Sequence, residues 1–111
     1  MVEYTLDLNL VFQSLADATR RDILKRVIAQ PRSISELAGA YSFSFAAIAK
    51  HIGVLEMAHL VTKHRQGRQQ IIRANPAAIS SAASHLQEYE ALWNSRLDNL
   101  DQLVLAEQDS D

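Results

Sequence analysis

Cysteine is absent from the chain. Its absence excludes disulfides, thiolate metal sites and thiol redox switches together. Glycine occurs only at positions 39, 53 and 67, and proline only at 31 and 76; so few breakers favour helices. No run approaches the ~18 consecutive apolar residues of a membrane span. The start, Met1-Val2-Glu3-Tyr4, lacks the basic segment and apolar stretch of a signal peptide, so a soluble cytoplasmic protein with no membrane partner is expected. No nucleophile motif or glycine-rich phosphate loop is present, and the histidines at 51, 59, 64 and 85 are scattered. Catalysis is therefore not expected, nor any cofactor.

What is present is one domain's worth of ordinary globular sequence. The chain has 111 residues, 48% hydrophobic and 22% charged, a balance that argues against disorder along its length. The net charge of −2 conceals a segregation. Residues 1–16 carry Glu3 and Asp7 and no base; residues 17–75 carry ten bases against four acids; residues 76–111 carry Arg96 against seven acids. A basic middle between acidic ends suggests that one part meets an anion while another has a different task.

Periodicity supplies the elements. Leu6–Leu15 is loosely helical. Asp17 offers an N-cap for a helix to about Ala29, with Ile23, Leu24, Val27 and Ile28 on its inner face. After Pro31, Ser33 and Glu36 have the form of a capping box for a short helix with Ile34, Leu37 and Ala38 inward. Tyr41-Ser42-Phe43 reads as a turn, and Ser44 caps a helix to about Ala58 with Ile48, Ile52 and Leu55 buried. Its facing positions, Ala46, Ala47, Lys50, Gly53 and Val54, are mostly small; Gly53 costs a helix interior about 1 kcal/mol relative to Ala. The period then changes: Leu60–Arg65 and Gln69–Ala74 read as strands of a hairpin turning near Gly67, with a cationic tip. Asn75-Pro76 opens a last helix whose stripe is Ile79, Ala83, Leu86, Tyr89, Trp93, Leu97, Leu100 and Val104. A helix to about Leu105 spans roughly 45 Å at 1.5 Å per residue, more than one small domain covers, so a second copy of the chain is the expected cover and packing on the N-terminal helix alone the alternative.

The short helix, turn and following helix have helix-turn-helix dimensions, and a basic hairpin follows: a winged helix-turn-helix. The fold class expected is mainly α (α+β), in the order α-α-α-α-β-β-α. Residues 1–111 form a single domain, with dimerisation helices at 1–16 and 76–107, the helix-turn-helix at 33–58, the β-wing at 60–74 and a frayed tail at 108–111.

Four segments carry a resemblance to a known family: Leu15-Ala16-Asp17-Ala18-Thr19-Arg20-Arg21-Asp22-Ile23-Leu24, Ser35-Glu36-Leu37-Ala38, Ala49-Lys50-His51-Ile52-Gly53-Val54-Leu55-Glu56, and the wing Lys63-His64-Arg65-Gln66-Gly67-Arg68-Gln69. Together and in this order they resemble the ArsR family of bacterial dimeric repressors across nearly the whole chain. The resemblance implies a DNA-binding homodimer whose first and last helices form the interface. It departs from the family pattern at Ala49, where serine is usual, at Gly53, where a longer residue is frequent, and at His59, where glycine usually ends the recognition helix.

The function expected is an autoregulatory repressor that binds a palindromic operator as a homodimer; the alternative is a winged-helix module that binds protein and not DNA. The residues expected at the DNA are Ser42, Ser44, Ala46, Ala47, Lys50, His51, Lys63, Arg65, Gln66, Arg68 and Gln69. Arg20 and Arg21 either reach phosphates or pair with Asp17 or Glu36, and His51 either meets DNA or bonds internally. The residues expected at the dimer interface are Leu8, Val11, Phe12, Leu86, Tyr89, Trp93, Leu97 and Leu100. Metal sensing is not expected. His85-Leu86-Gln87-Glu88 has the form of half a family metal site, but Ile72 and Ala74 stand where the other half would fall. An effector, where one acts, is a small molecule of unspecified chemistry; Tyr89 and Trp93 either line its pocket or pack at the interface.

Overall fold

The computed structural model describes residues 6–109. Asp7 opens α1 (Leu8–Leu15) by accepting the backbone N–H groups of Asn9 and Leu10. Asp17 opens α2 (Ala18–Ala29) by accepting the N–H of Arg20 at 3.0 Å. The chain then forms a two-residue strand, β1 (Arg32–Ser33), before α3 (Ile34–Tyr41), α4 (Phe45–Met57), the hairpin strands β2 (Val61–Gln66) and β3 (Gln69–Ala74), and the long α5 (Pro76–Asp109). The sheet is antiparallel in the order β1-β3-β2, with Ser33 opposite Ile71 and His64 opposite the same residue on the other side.

Several boundaries differ from the sequence reading: Tyr41, read as turn, is the last residue of α3, and the first hairpin strand runs one residue later than Leu60–Arg65. β1 was not expected, because two residues have no period to read; its pairing comes from β3. The helical N-terminal segment begins at Leu8, and residues 1–5 lie outside the described part. The last helix continues to Asp109, through the first half of the segment expected to fray, and positions 110 and 111 lie outside the described residues.

The core is built where α2, α3, α4 and the sheet converge. Ile48, Ile52 and Leu55 are fully buried along one face of α4, and Ile23, Leu37 and Ile72 meet them from neighbouring elements. Each such burial stabilises the fold by about 1.5–3 kcal/mol. Ile28, expected inward, is 55% exposed; at the last turn of α2 it lines an open hollow with Ala74, Pro76 and Ile79. Val11, expected at a dimer interface, is fully buried inside its own protomer, where it holds α1 against the core. Leu8 is half-buried and Phe12 exposed.

The final helix meets the body through positions beside the expected stripe, together with the stripe's first member, Ile79. Ala78 and Ala82 are the buried positions, with Ile79 packed beside them, whereas Ala83 is exposed. Small residues let α5 approach closely, and the large side chains fall on the adjacent face. From Leu86 to Glu107 every residue is exposed, and the helix carries the molecule's longest dimension to 77 Å. Among the described residues, no helix is long and apolar enough to cross a membrane.

Candidate nucleic-acid interface

The candidate interface is built on the turn between α3 and α4. Ser33 and Glu36 form the capping box that starts α3: Ser33 Oγ accepts the Glu36 N–H at 3.1 Å, and Glu36 Oε1 accepts the Ser33 N–H at 3.4 Å. Ser42 ends the helix in a left-handed conformation, φ 58°. Ser44 then caps α4 by accepting the Ala47 N–H at 3.1 Å. This turn is anchored from behind. The Tyr41 hydroxyl donates to Asp22, Arg26 donates to the same carboxylate at 2.9 Å, and the Tyr41 ring stacks on Phe43 at 5.8 Å.

At its other end α4 closes with a Schellman arrangement. Leu60 N–H bonds the Leu55 carbonyl at 3.1 Å, His59 N–H bonds the Glu56 carbonyl at 2.9 Å, and His59 is left-handed at φ 64°. The residue that departs from the family's usual glycine thus adopts glycine's conformation. Asn75 Nδ2 donates to the His59 carbonyl at 2.9 Å, tying the start of α5 to the end of α4.

Along α4, the buried line 48, 52, 55 has an opposite line two residues back, at Ala46, Lys50 and Gly53, which continues to Met57. Ala46, Ala47 and Lys50 are exposed, Gly53 and Val54 half-exposed, and Met57 is 67% exposed. Met57 was missed in the sequence; extending the spacing of four and three by one more step would have found it. His51 is half-buried on the flank, its Nδ1 3.5 Å from Arg20 Nη1 and 3.9 Å from Asp17 Oδ2. The Arg20 backbone N–H, reinforced by the nearby Arg20 and His51 side chains, holds the Asp17 carboxyl below its ordinary value.

Arg20 and Arg21 of α2 satisfy the end of α1. Arg20 Nε donates to the Ser14 carbonyl at 2.7 Å and its Nη2 to the Gln13 carbonyl at 3.1 Å; Arg21 Nη1 donates to the Leu15 carbonyl at 2.7 Å. These carbonyls belong to the last turn of α1, where the Gln13 carbonyl also accepts the Ala16 N–H at 3.2 Å. The sequence left these arginines between phosphate contact and pairing with Asp17 or Glu36, and the α1 carbonyls were on neither side of that choice. The six-residue separation across a helix–helix corner was the available signal.

The wing turns through Gly67-Arg68, with Gly67 at φ 64°. A positive φ at the first central position and not the second is the type II′ pattern that glycine favours. The register places Lys63 and Arg65 on one face of the hairpin, with Gln70, and Gln66 and Gln69 on the other, with His64. All five expected wing residues are exposed. Arg65 Nε donates to the Gly67 carbonyl at 3.2 Å, bracing the turn, and Lys63 Nζ lies 3.9 Å from Glu56 of α4. One cation thus faces the recognition helix, while the tip carries the guanidinium groups.

Among the described residues, no three His, Asp or Glu side chains come together as a metal site. On α5, Phe12 of α1 flanks a cleft of about 190 Å³ lined also by Leu15, Ile79, Ala83 and Leu86. Tyr89, Trp93, Leu97 and Leu100 continue outward from it, exposed, with the Arg96 guanidinium 5.7 Å from the Trp93 ring centre.

No protein-family model matches the chain. It is 31% identical over 98 residues to the HTH-type transcriptional regulator Rv2034 of Mycobacterium tuberculosis, covering 88% of this chain and 89% of that protein. It is 30% identical over 61 residues to the transcriptional repressor SdpR of Bacillus subtilis, covering 55% and 68% respectively. Among solved structures, an ArsR-like transcriptional regulator from Rhodococcus sp. RHA1 superposes with a TM-score of 0.76 at 35% identity, over 86% of this chain and 91% of that one.

Proposed function

The chain belongs to the ArsR family of transcriptional regulators, and from that premise we propose that it is an autoregulatory repressor that binds a palindromic operator as a homodimer and senses no metal. As its relatives are, it is a DNA-binding regulator and not an enzyme. The observation that carries the finer reading is the exposed, cationic wing tip, Arg65 and Arg68, on the same protomer as an exposed recognition helix, α4. Ser42, Ser44, Ala46, Ala47, Lys50 and His51 approach the major groove, and Lys63, Arg65, Gln66, Arg68 and Gln69 reach the backbone or the adjacent minor groove.

Self-association is supported by the row Leu86, Tyr89, Trp93, Leu97 and Leu100, which its own protomer leaves uncovered, and by Phe12 beside it. Isolated large apolar residues on a surface are common, but a contiguous row of this length marks an interface. Leu8 lies at its margin, and Val11 supports it from the core. Two copies related by a two-fold axis present two recognition helices to the halves of a palindrome. The acidic flank of α5 faces away from DNA. An inducing ligand acts by binding two dimer arrangements unequally. Tyr89 and Trp93 serve packing in this reading. The cytoplasm, where the DNA is, is the compartment proposed.

Fluorescence anisotropy with labelled duplex from upstream of the protein's own gene tests the reading. Saturable binding that competitor of unrelated sequence fails to displace is expected, with affinity falling steeply as salt rises. Absence of binding at ~50 mM salt by folded protein would refute it, since cationic contacts are strongest there.

A further inference from the structure

We propose that the recognition helix α4 selects its operator through the 5-methyl groups of thymines, touched by Ala46, Ala47 and Val54, with hydrogen bonds to base edges in a minor part. The inference rests on the DNA-binding reading above and names the chemical group that the site reads.

The hydrogen-bonding inventory of α4 is short. Ser44 Oγ accepts from Ala47 N–H at the cap. The Nδ1 edge of His51 faces Arg20 and Asp17 inside the protomer. Lys50 is the one charged side chain on the outward line Ala46, Lys50, Gly53, Met57, and a lysine is a point charge that serves phosphate as well as guanine. The Glu56 carboxylate, half-exposed, is engaged by Lys63 Nζ at 3.9 Å; the remaining exposed surface of the helix is largely apolar, with Phe45, Ala46, Ala47, Val54 and Met57. In the major groove the thymine methyl is the one base-edge feature read by apolar contact. Lys50 lies on this face, and the wing that follows it carries Lys63 beside α4 and Arg65 and Arg68 at its tip, as a polyanion requires and as an apolar protein partner does not.

Gly53 supplies a separate observation. A Cβ added there would meet nothing within 4 Å, and its φ is not positive. Neither packing nor backbone conformation of the protomer calls for glycine at this helix-interior position. A side chain there would stand between the helix backbone and whatever approaches it, so glycine fits a close approach of α4 to the base edges.

The test starts from the tightest duplex that the protein selects from a random pool. Each thymine is then replaced by deoxyuridine, which removes the methyl and keeps every hydrogen-bonding group. Affinity is expected to fall ~4-fold per contacted methyl, or ~16-fold when one is removed from each half-site. Gly53→Ala is expected to weaken binding to the selected duplex at least tenfold, with helicity by circular dichroism and Tm unchanged or raised. Deoxyuridine duplexes bound within twofold of the parent, while scrambled duplexes bind far more weakly, would overturn the inference and leave DNA binding standing. Full affinity of Gly53→Ala would overturn the close approach. Binding without any sequence preference would overturn both the inference and operator recognition, and would return the apolar face to a protein partner.

Discussion

Tyr41, the last residue of α3, donates its hydroxyl to the carboxylate of Asp22 on α2, nineteen positions earlier in the chain. Arg26 binds the same oxygen and lays its guanidinium 5.0 Å from the Tyr41 ring centre. The helix-turn-helix is thus fixed to the helix behind it at its tightest point, one residue before the left-handed Ser42. The Tyr41 hydrogen bond, with that of Arg26 second, holds the Asp22 carboxyl below its ordinary 3.8. Burial first, and then Asp22, pushes the Tyr41 hydroxyl up to about 12.

The signs follow from those shifts. A lowered carboxyl contributes stability above its ordinary value and loses it as pH falls through the folded value. A raised tyrosine contributes fully below 10 and loses it as pH rises toward 12. Tyr41→Phe is therefore expected to lower Tm at neutral pH, with the gap to the parent closing in acid, once pH has fallen below the ordinary 3.8 and Asp22 takes up its proton. Thermal melts followed by circular dichroism across pH check this. A gap that stays constant down to pH ~2 would assign the loss to packing of the ring environment and not to the charged bond.

Arg20→Ala removes the donors to the Gln13 and Ser14 carbonyls at the end of α1, of which Gln13 keeps the Ala16 N–H. Hydrogen bonds from a charged group are worth about 1.5–3 kcal/mol, and partial exposure of this site puts the expected loss near the lower figure. Arg20→Lys lacks the planar fork whose Nε and Nη2 reach the two carbonyls and is expected to recover less than half. Urea unfolding with unchanged m-values measures both. Equal stability of Arg20→Ala and the parent would show that water caps α1 equally well.

The periodic elements were legible in the sequence because each has one clean buried line: 48, 52, 55 on α4 and 23, 24, 27 on α2. The wing was legible because Gly67 marks its turn between two runs of strand-forming residues. What escaped depends on contacts between elements. β1 exists only because β3 offers it an edge. Arg20 and Arg21 bond backbone carbonyls because α1 ends beside them, and Val11 is core because α1 lies flat on the body. On α5 the stripe was visible, but a helix with two adjacent apolar faces does not announce which one its own protomer takes. Ala78 and Ala82 take it here, since small residues permit the closer approach.

Trp93→Asp and Val11→Ala separate the two kinds of apolar position. Trp93 is 56% exposed and Val11 fully buried. Trp93→Asp is expected to leave Tm of the protomer fold nearly unchanged in dilute solution and to convert the particle to 12.4 kDa by light scattering. Val11→Ala is expected to cost about 2 kcal/mol of stability while the particle size stays that of the parent. A dimeric Trp93→Asp protein would place the interface elsewhere.

Chelators test the metal reading directly. His85 and Glu88 are the only remnant of a family metal pair, and the chain has no cysteine. EDTA or equimolar zinc is expected to shift the anisotropy midpoint by less than twofold. A tenfold change by zinc, abolished in His85→Ala, would establish a metal response.

The wing arginines differ in what they do before DNA arrives, and this makes them separable. Arg65 braces its own turn through the Gly67 carbonyl, whereas Arg68 occupies the second turn position and is exposed. Each guanidinium that neutralises a phosphate releases counterions, so its loss lowers the slope of log affinity against log salt by about 0.9. Arg68→Ala is expected to show that change in slope, a uniform loss across operator and unrelated duplexes, and an unchanged Tm. Arg65→Ala is expected to show the same slope change with a small drop in Tm, because the hairpin turn loses its brace. Lysine at position 68 keeps the charge and is expected to restore the slope. If Arg68→Lys instead keeps the slope but loses discrimination between operator and scrambled sequence, the guanidinium reads the groove, as an arginine placed in a narrow minor groove does, and the wing carries specificity as well as affinity.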